Sequence, residues 1–445
     1  MQQLFDDTIL QEPTLKDILS FHAAAHAPVA HTPVANITAQ GNDLEGNDKK
    51  VLAFSAGRKA SVLERLLSRF LRPTLRIFGK SVSAYNAFGV LGMVVAATIA
   101  FGLTYAKGLS LYVTAGLLGL ALLVSIANIV LTTLITGRDS LVFLRYFLTI
   151  MAAAALLLRI IEQPILPYLE HLMLGIGAMQ GVGRIGCFRV GCCYGKPAPF
   201  GIRYTDRYAK AGFPDPLTGV RLFPIQLLES SWIFLSVSTG IILSLTSTVT
   251  GYGLSSYILI FSSGRFCFEL FRGDKARPYL GWLSEAQWIS VGMVCSILIL
   301  EQMQVLPFHL WHVVAGAVML FMAAYVVYNS LHSSVFQLKK PAHIASISKA
   351  LALLEKGRQQ QIAGAHAVHL RQTTAGIQIS DGIMEIQNQR IHHYTLSNKG
   401  NTLALNEAIA LAKIIQSWHP QEEKTKLIDD NRNTFHFLRY QTIES

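Results

Sequence analysis

Charge is scarce in this sequence. Of its 445 residues only 15% are Asp, Glu, Lys or Arg, while 51% are apolar; soluble domains carry about 25% charged residues. This shortage excludes a disordered chain, a coiled coil and nearly any ordinary soluble enzyme. Acidic side chains are the scarcer sign, 27 against 38 basic ones, for a net charge of +11. The cations sit beside apolar stretches, which suits anionic lipid better than nucleic acid, and no nucleic-acid partner is expected. Cysteine is sparse and odd in number: Cys187, Cys192, Cys193, Cys267 and Cys295. Three of the five crowd into one short motif, which excludes a secreted disulfide framework. Met1 to Ile9 are acidic with no apolar run behind them, so no secretory leader is expected.

What is present is apolar sequence in long runs. A hydrocarbon core about 30 Å thick needs about 20 apolar residues per helix. Ser81–Ala106 and Gly108–Gly137 meet that with no charge, Tyr146–Leu158 is an apolar run after Arg145, and Leu172–Gly183 is weaker. Ser230–Gly264 is long enough for two helices, with a turn at Thr248–Gly251, and Gln287–Leu300 and Gln302–Leu338 add two more. The expected fold is an all-α polytopic integral membrane protein with about seven to eight transmembrane helices and a small α/β soluble C-terminal module. Residues 1–57 read as a disordered polar arm. Residues 58–80 read as a basic amphipathic helix on an anionic membrane surface: Val62, Leu63, Leu66, Leu67 and Phe70 repeat at helical spacing against Arg65, Arg69, Arg72 and Arg76, with Pro73 as a break. Residues 81–332 form the transmembrane domain and 340–445 the module. In the module Ala345–Lys356 and Leu403–Trp418 read as helices, and Ala367–Ser380 and Arg390–Ser397 as strands.

Three polar stretches interrupt the apolar runs. The first is Gly183-Arg184-Ile185-Gly186-Cys187-Phe188-Arg189-Val190-Gly191-Cys192-Cys193-Tyr194-Gly195-Lys196. Its glycines suit tight turns and close approach to a ligand. An arginine at the end of a membrane segment needs a partner or a polar cavity. The second is Phe223-Pro224-Ile225-Gln226-Leu227-Leu228-Glu229, whose acid needs a cation such as Arg184 or Arg265. The third is Gly264-Arg265-Phe266-Cys267-Phe268-Glu269-Leu270-Phe271-Arg272, where Arg265, Glu269 and Arg272 would share a helix face. Guanidinium groups so held suit phosphate, which they bind bidentately while staying charged.

In this order the three stretches resemble the prolipoprotein diacylglyceryl transferase family, which carries Gly-Arg-x-Gly-Asn-Phe, His-Pro-x-Gln-Leu-x-Glu and Arg-Phe-x-x-Glu-x-x-Arg. The matches are Gly183-Arg184-Ile185-Gly186 with Phe188, then Pro224, Gln226, Leu227 and Glu229, then Arg265-Phe266 with Glu269 and Arg272. The resemblance covers roughly residues 84 to 301. It implies transfer of the diacylglyceryl group of phosphatidylglycerol, or a similar anionic phospholipid, to the lipobox cysteine of a prelipoprotein in a bacterial plasma membrane. It implies catalytic roles for Arg184, Arg265, Glu269 and Glu229, with Arg184 at the lipid phosphate and Arg265 at the leaving group. It also implies a substrate-binding wall of Arg184, Gly186, Cys187, Phe188, Cys192, Gly195, Gln226 and Arg272. No cofactor and no metal is expected.

The sequence departs from the family at several polar positions. Cys187 replaces the Asn, Cys192 a downstream acid and Phe223 the His, and Leu141 to Met151 lacks the upstream His-Gly-Gly. A different acceptor, or a lipid-binding protein without turnover, therefore stands as an alternative. For the thiols the first expectation is soft packing against close turns. A covalent or redox role for Cys192, and metal binding through Cys-x4-Cys-Cys, are the rivals. His171 is a weaker candidate for the cavity, and His309 and His312 are expected to be structural. Cations counted loop by loop put the Arg-rich segments in the cytoplasm, whereas the resemblance implies an outward-facing site. Both orientations stand.

Overall fold

The computed structural model describes residues 51–54, 61–77, 79–136, 143–209, 212–274, 279–359, 369–386, 389–418, 424–429 and 433–442. The arm expected over residues 1–57 lies outside these, except for strand β1 (Val51–Phe54). Helix α1 (Val62–Arg69) starts where the Ser61 hydroxyl accepts from the Glu64 amide and the Glu64 carboxylate accepts from the Ser61 amide. This reciprocal cap satisfies two amides that the first turn leaves unpaired. The helix stops short of Pro73, which disfavours helical backbone in the residue before it. The chain then turns through a hairpin, β2 (Thr74–Ile77) with β3 (Lys80–Ser83). The basic segment expected as one helix over 58–80 is thus a short helix followed by a hairpin.

Among the described residues eight long helices follow: α2 (Ala84–Ala106), α3 (Leu111–Thr136), α4 (Phe143–Ile160), α5 (Ile165–Val190), α6 (Ile225–Thr246), α7 (Tyr252–Phe268), α8 (Glu285–Gln302) and α9 (Leu310–His332). Among the described residues α2, α3, α6 and α9 are long and apolar enough to cross a membrane. The others are shorter or, like α5 with Glu170, Arg184 and Arg189, interrupted by charge. The outward faces are oily: Val94, Leu123, Leu134, Ile242 and Phe321 are all exposed. Such an exposed apolar belt belongs against lipid. Polar groups point inward instead, as in the buried chain from Thr114 through Thr104 to His171 Nδ1 (2.8 and 3.1 Å between successive groups). This is a membrane protein.

Helix α5 is the axis of the bundle and is buried along most of its length. It crosses α2 closely enough that a Cβ at Gly175 would stand 2.6 Å from the Ala96 carbonyl oxygen. Small residues allow that approach where lipid gives no hydrophobic drive between helices. Beyond α5 the chain builds a small head from β4 (Pro197–Arg203) and β5 (Arg221–Leu222) around Phe188, Tyr194, Tyr204, Phe213 and Leu222. Buried Glu64 of α1 ties into it, accepting from the Gly201 amide at 2.7 Å. The two-residue strands β6 (Tyr279–Leu280) and β7 (Leu283–Ser284) pair just before α8.

After α9 come a five-residue helical turn, Ser334–Leu338, and α10 (Pro341–Gln359), then an antiparallel sheet of β8 (His369–Gln372), β9 (Ile377–Ile386), β10 (Gln389–Asn398), β11 (Lys424–Asp429) and β12 (Thr434–Thr442), with α11 (Leu405–Trp418) between β10 and β11. The strand order is β1-β11-β12-β10-β9-β8, so the strand from before α1 closes the edge beside β11. One sheet face buries Ile379, Tyr394, Leu396, Phe435 and Phe437 against α10 and α11. Trp418 at the end of α11 packs against both this core and the head.

Candidate active site

The first polar stretch is helical for most of its length. Gly183, Arg184, Gly186, Cys187 and Phe188 all lie in α5, and the tight turn expected of its glycines comes only at Gly191, a left-handed cap (φ 81°). Packing against α2 and the head overrides the low helix propensity of the glycines. The third stretch differs in the opposite sense. Helix α7 ends at Phe268, Glu269–Phe271 forms a single tighter turn, and Arg272 is extended. The shared helix face therefore ends before Arg272, and the loop brings the residue back to Glu269 by another route.

These ends meet. Glu229, 2% exposed, stands between two arginines: Arg184 Nε lies 3.0 Å from Oε2, and Arg265 Nη1 donates to Oε1 at 3.2 Å. Arg265 Nη1 also donates to Glu269 Oε2 at 2.7 Å. Arg272 Nη1 lies 4.0 Å from that same oxygen and makes a two-pronged bond to Asp274, at 2.9 and 2.7 Å. The cation that Glu229 requires is thus both of those expected. Three arginines and three acids form one largely buried chain among the described residues. Arg184 contacts only Glu229 among these acids, which leaves its two amino groups for a ligand. Gln180, Arg184, Glu229 and Arg265 line a narrow cleft of about 10 Å³, closed by Trp232, Ile233, Phe261 and Phe268. A second cleft, about 130 Å³, adjoins Glu269 and takes Lys339, Lys340 and Phe336 from the segment after α9.

The expected substrate-binding residues divide into two groups. Arg184 lines the first cleft, and Arg272 flanks the same acids. Phe188 is buried in the head core, and its carbonyl accepts from Tyr204 Oη at 3.0 Å. Gly186 packs on Phe88, so that a Cβ would stand 2.9 Å from the Phe88 Cβ. Gly195 lies under the Phe223 carbonyl, where a Cβ would be 2.3 Å from the oxygen. Gln226 Nε2 donates to the Cys192 carbonyl at 2.9 Å. These four hold the shape of the turn that follows α5. His171 is bonded to Thr104 thirteen residues before Arg184, about 20 Å along the helix, and does not join the site. His312 pairs with Glu301 near the other end of α8.

The turn gathers Cys187, Cys192 and Cys193, whose sulfurs lie within 4.8 Å of one another. All three are free thiols. The amides of Gly191 and Cys192 both donate to the Cys187 carbonyl, and Cys193 adopts a left-handed backbone (φ 52°) unusual for a residue with a side chain. Hydrogen bonds from Cys187 and Cys192, with Arg272 and Arg184 nearby, hold the Cys193 thiol well below the usual cysteine range. The same hydrogen bonding pushes Cys192 up. The Cys-x4-Cys-Cys spacing offers metal binding as a rival to soft packing, and the structure brings the three sulfurs together across the helix end.

The family model for prolipoprotein diacylglyceryl transferase matches residues 73–303, just over half the chain. The chain belongs to this family. Among curated relatives, the phosphatidylglycerol--prolipoprotein diacylglyceryl transferase of Clostridium tetani is 34% identical over 129 residues, 28% of this chain and 49% of that protein. The phosphatidylglycerol--prolipoprotein diacylglyceryl transferase 2 of Clostridium perfringens is 37% identical over 123 residues, 26% of this chain and 44% of that protein. The chain thus spans slightly less than half the length of the curated relatives it matches. The family region takes in α2 through α8 and every member of the arginine–acid chain; α1, α9, α10 and the whole sheet module, β1 included, fall outside it.

Proposed function

We propose that this protein is a multi-pass membrane transferase that moves the diacylglyceryl group of phosphatidylglycerol to a cysteine thiol of a prelipoprotein, in a bacterial plasma membrane. The observation that carries the reading is the Arg184–Glu229–Arg265 chain, which with Gln180 lines a narrow cleft whose other walls are apolar, and which Glu269 holds from behind Arg265. A phosphodiester at the bilayer surface needs such a mixed site: guanidinium for the headgroup and oily walls for the glyceride.

In this reading Arg184 holds the lipid phosphate through its two open amino groups. The acceptor sulfur attacks the glycerol carbon next to the phosphate oxygen. A carbon–sulfur bond forms as the carbon–oxygen bond breaks, and the electron pair departs on the phosphate. Arg265, fixed by two carboxylates, stabilises the charge that builds there without reorganising. Glu229 orients both arginines, and Glu269 couples Arg265 to Arg272. All eight helices from α2 to α9 embed in the bilayer. Helix α1, with Val62 and Phe70 64% and 61% exposed beside Arg65 and Arg69, lies at headgroup level. The module of residues 340–445 is a soluble structural or docking unit.

A second reading is favoured by the three thiols in place of the polar signature: the same transfer to a different acceptor. Purified protein incubated with phosphatidylglycerol and a lipobox peptide separates the two. A peptide heavier by one diacylglyceryl group, absent with Arg184→Ala, supports the first reading. An unmodified peptide beside released glycerol phosphate supports the second. Neither product contradicts both.

A further inference from the structure

The transfer proposed above alkylates a thiol, and a thiol must lose its proton to become a good nucleophile. The arginine–acid chain supplies no free base: Glu229 and Glu269 are both engaged with guanidinium groups. The histidine of the second family stretch is Phe223 here, and the described histidines at 171 and 312 are bonded elsewhere in the bundle. What stands at the site instead is a cluster of three thiols.

We propose that Cys187, Cys192 and Cys193 form a three-thiolate site for a thiophilic metal ion such as zinc, with one coordination position left for the acceptor thiol. The role given to the open position rests on the transfer reading; the metal site itself does not. The sulfurs already lie within 4.8 Å of one another. Tetrahedral zinc with Zn–S bonds of about 2.3 Å needs sulfurs about 3.8 Å apart, so closing the site takes about an ångström of rotamer adjustment. The backbone is built to converge the side chains. Gly191 reverses the chain, two amides share the Cys187 carbonyl, Cys193 is held in a left-handed conformation, and Gln226 anchors the Cys192 carbonyl. The Gly191 cap is an ordinary helix end, but a left-handed Cys193 is not, and strained backbone concentrates at functional sites.

Among the described residues no His, Asp, Glu or fourth Cys completes the group. Three protein ligands and an open position mark a catalytic rather than a structural zinc site. Three thiolates around a divalent ion carry one net negative charge, and Arg184 and Arg272 are near enough to balance it. A thiol entering the open position binds as thiolate and releases its proton to water. The metal-bound sulfur then forms the carbon–sulfur bond while the carbon–oxygen bond to phosphate breaks, and glycerol phosphate leaves with the electron pair. Metal coordination thereby does the work of the absent base.

The test uses the full-length protein purified in detergent without chelator. Metal content is measured first, followed by titration of the stripped protein with Co(II) and Cd(II) while thiolate charge-transfer absorption is recorded. We expect one equivalent bound, with three of the five thiols protected from alkylation. Each of Cys187→Ser, Cys192→Ser and Cys193→Ser should lower affinity about 100-fold or more. The Cys267→Ser/Cys295→Ser pair should leave it unchanged. A lipobox peptide should then shift the visible Co(II) spectrum, and its Cys→Ser version should not. Wild-type protein that shows no charge-transfer band, five equally reactive thiols or a disulfide among the three would overturn the site, with no dependence on how any variant folds. A Co(II) spectrum blind to the peptide thiol would overturn the open-position role. Metal binding without any lipid transfer would uphold the site and sink the transfer reading, so the two fail separately.

Discussion

Glu229→Gln is the perturbation whose consequence follows most directly from the geometry. The carboxylate offers one oxygen to each of two arginines, Oε2 to Arg184 at 3.0 Å and Oε1 to Arg265 at 3.2 Å. Glutamine has the same shape but one acceptor oxygen, so one guanidinium then faces an NH2 group, donor against donor. Losing a charge-assisted contact removes about 1.5–3 kcal/mol. The buried arginines also lose their balancing charge, and removing one partner of a buried ion pair destabilises by about 3–5 kcal/mol in all. If about 3 kcal/mol of that is felt in the transition state, kcat/KM falls by about 100-fold or more. Initial rates of diacylglyceryl transfer and thermal unfolding in detergent would be measured on the same preparation. We expect the rate to fall by at least that factor and the unfolding midpoint to drop. Transfer within about threefold of wild type, at an unchanged midpoint, would refute the claim that Glu229 organises the arginines.

The two signature glycines should separate sharply. Gly195→Ala puts a Cβ 2.3 Å from the Phe223 carbonyl oxygen and should destabilise by about 3 kcal/mol, whereas Gly183→Ala meets open space inside a helix and should stabilise by about 0.5–1 kcal/mol in the same unfolding assay. The reverse order would contradict the packing described. Gln226→Leu removes the bond to the Cys192 carbonyl and leaves that oxygen unpaired, for a loss of about 1–3 kcal/mol and faster alkylation of Cys192; an unchanged alkylation rate would count against the anchor. In the sheet module, burial and the neighbouring His436 hold His393 down at about 4. The unfolded chain binds a proton there that the folded one refuses between pH 6.5 and 4, so the module loses stability as pH falls through that window and is level above it. Hydrogen exchange at the β10 and β12 amides should quicken from pH 7 to 4.5, after correction for intrinsic rates, and His393→Gln should flatten the change; protection that grows on acidification would be the opposite sign.

The site was legible because its residues break the apolar pattern. Arg184, Glu229 and Arg265 stand at the ends of long uncharged runs, where a charge needs a partner, and the structure makes each the partner of another. The turn at Thr248–Gly251 was equally plain and separates α6 from α7. Local geometry was harder to read. Glycines at 183 and 186 suggested tight turns, yet bundle packing keeps them helical and moves the turn to Gly191. The spacing of Arg265, Glu269 and Arg272 suggested one helix, but α7 ends first and tertiary contacts restore the pairing. Strand β12 carries an inward Phe435 and Phe437 alternation that is visible afterwards, but polar residues between them masked it. That β1 would pair with β11, from the other end of the chain, follows from no local signal at all.

The most direct measurement follows both halves of the lipid. Phosphatidylglycerol labelled with one isotope in an acyl chain and another in the headgroup glycerol is given to the purified protein with a lipobox peptide, beside Arg184→Ala and Arg265→Ala. The account expects the acyl label on the peptide thiol, the headgroup label in free glycerol phosphate in equal amount, and neither with the two variants. Equal turnover by the variants, or headgroup label carried onto the peptide, would contradict it.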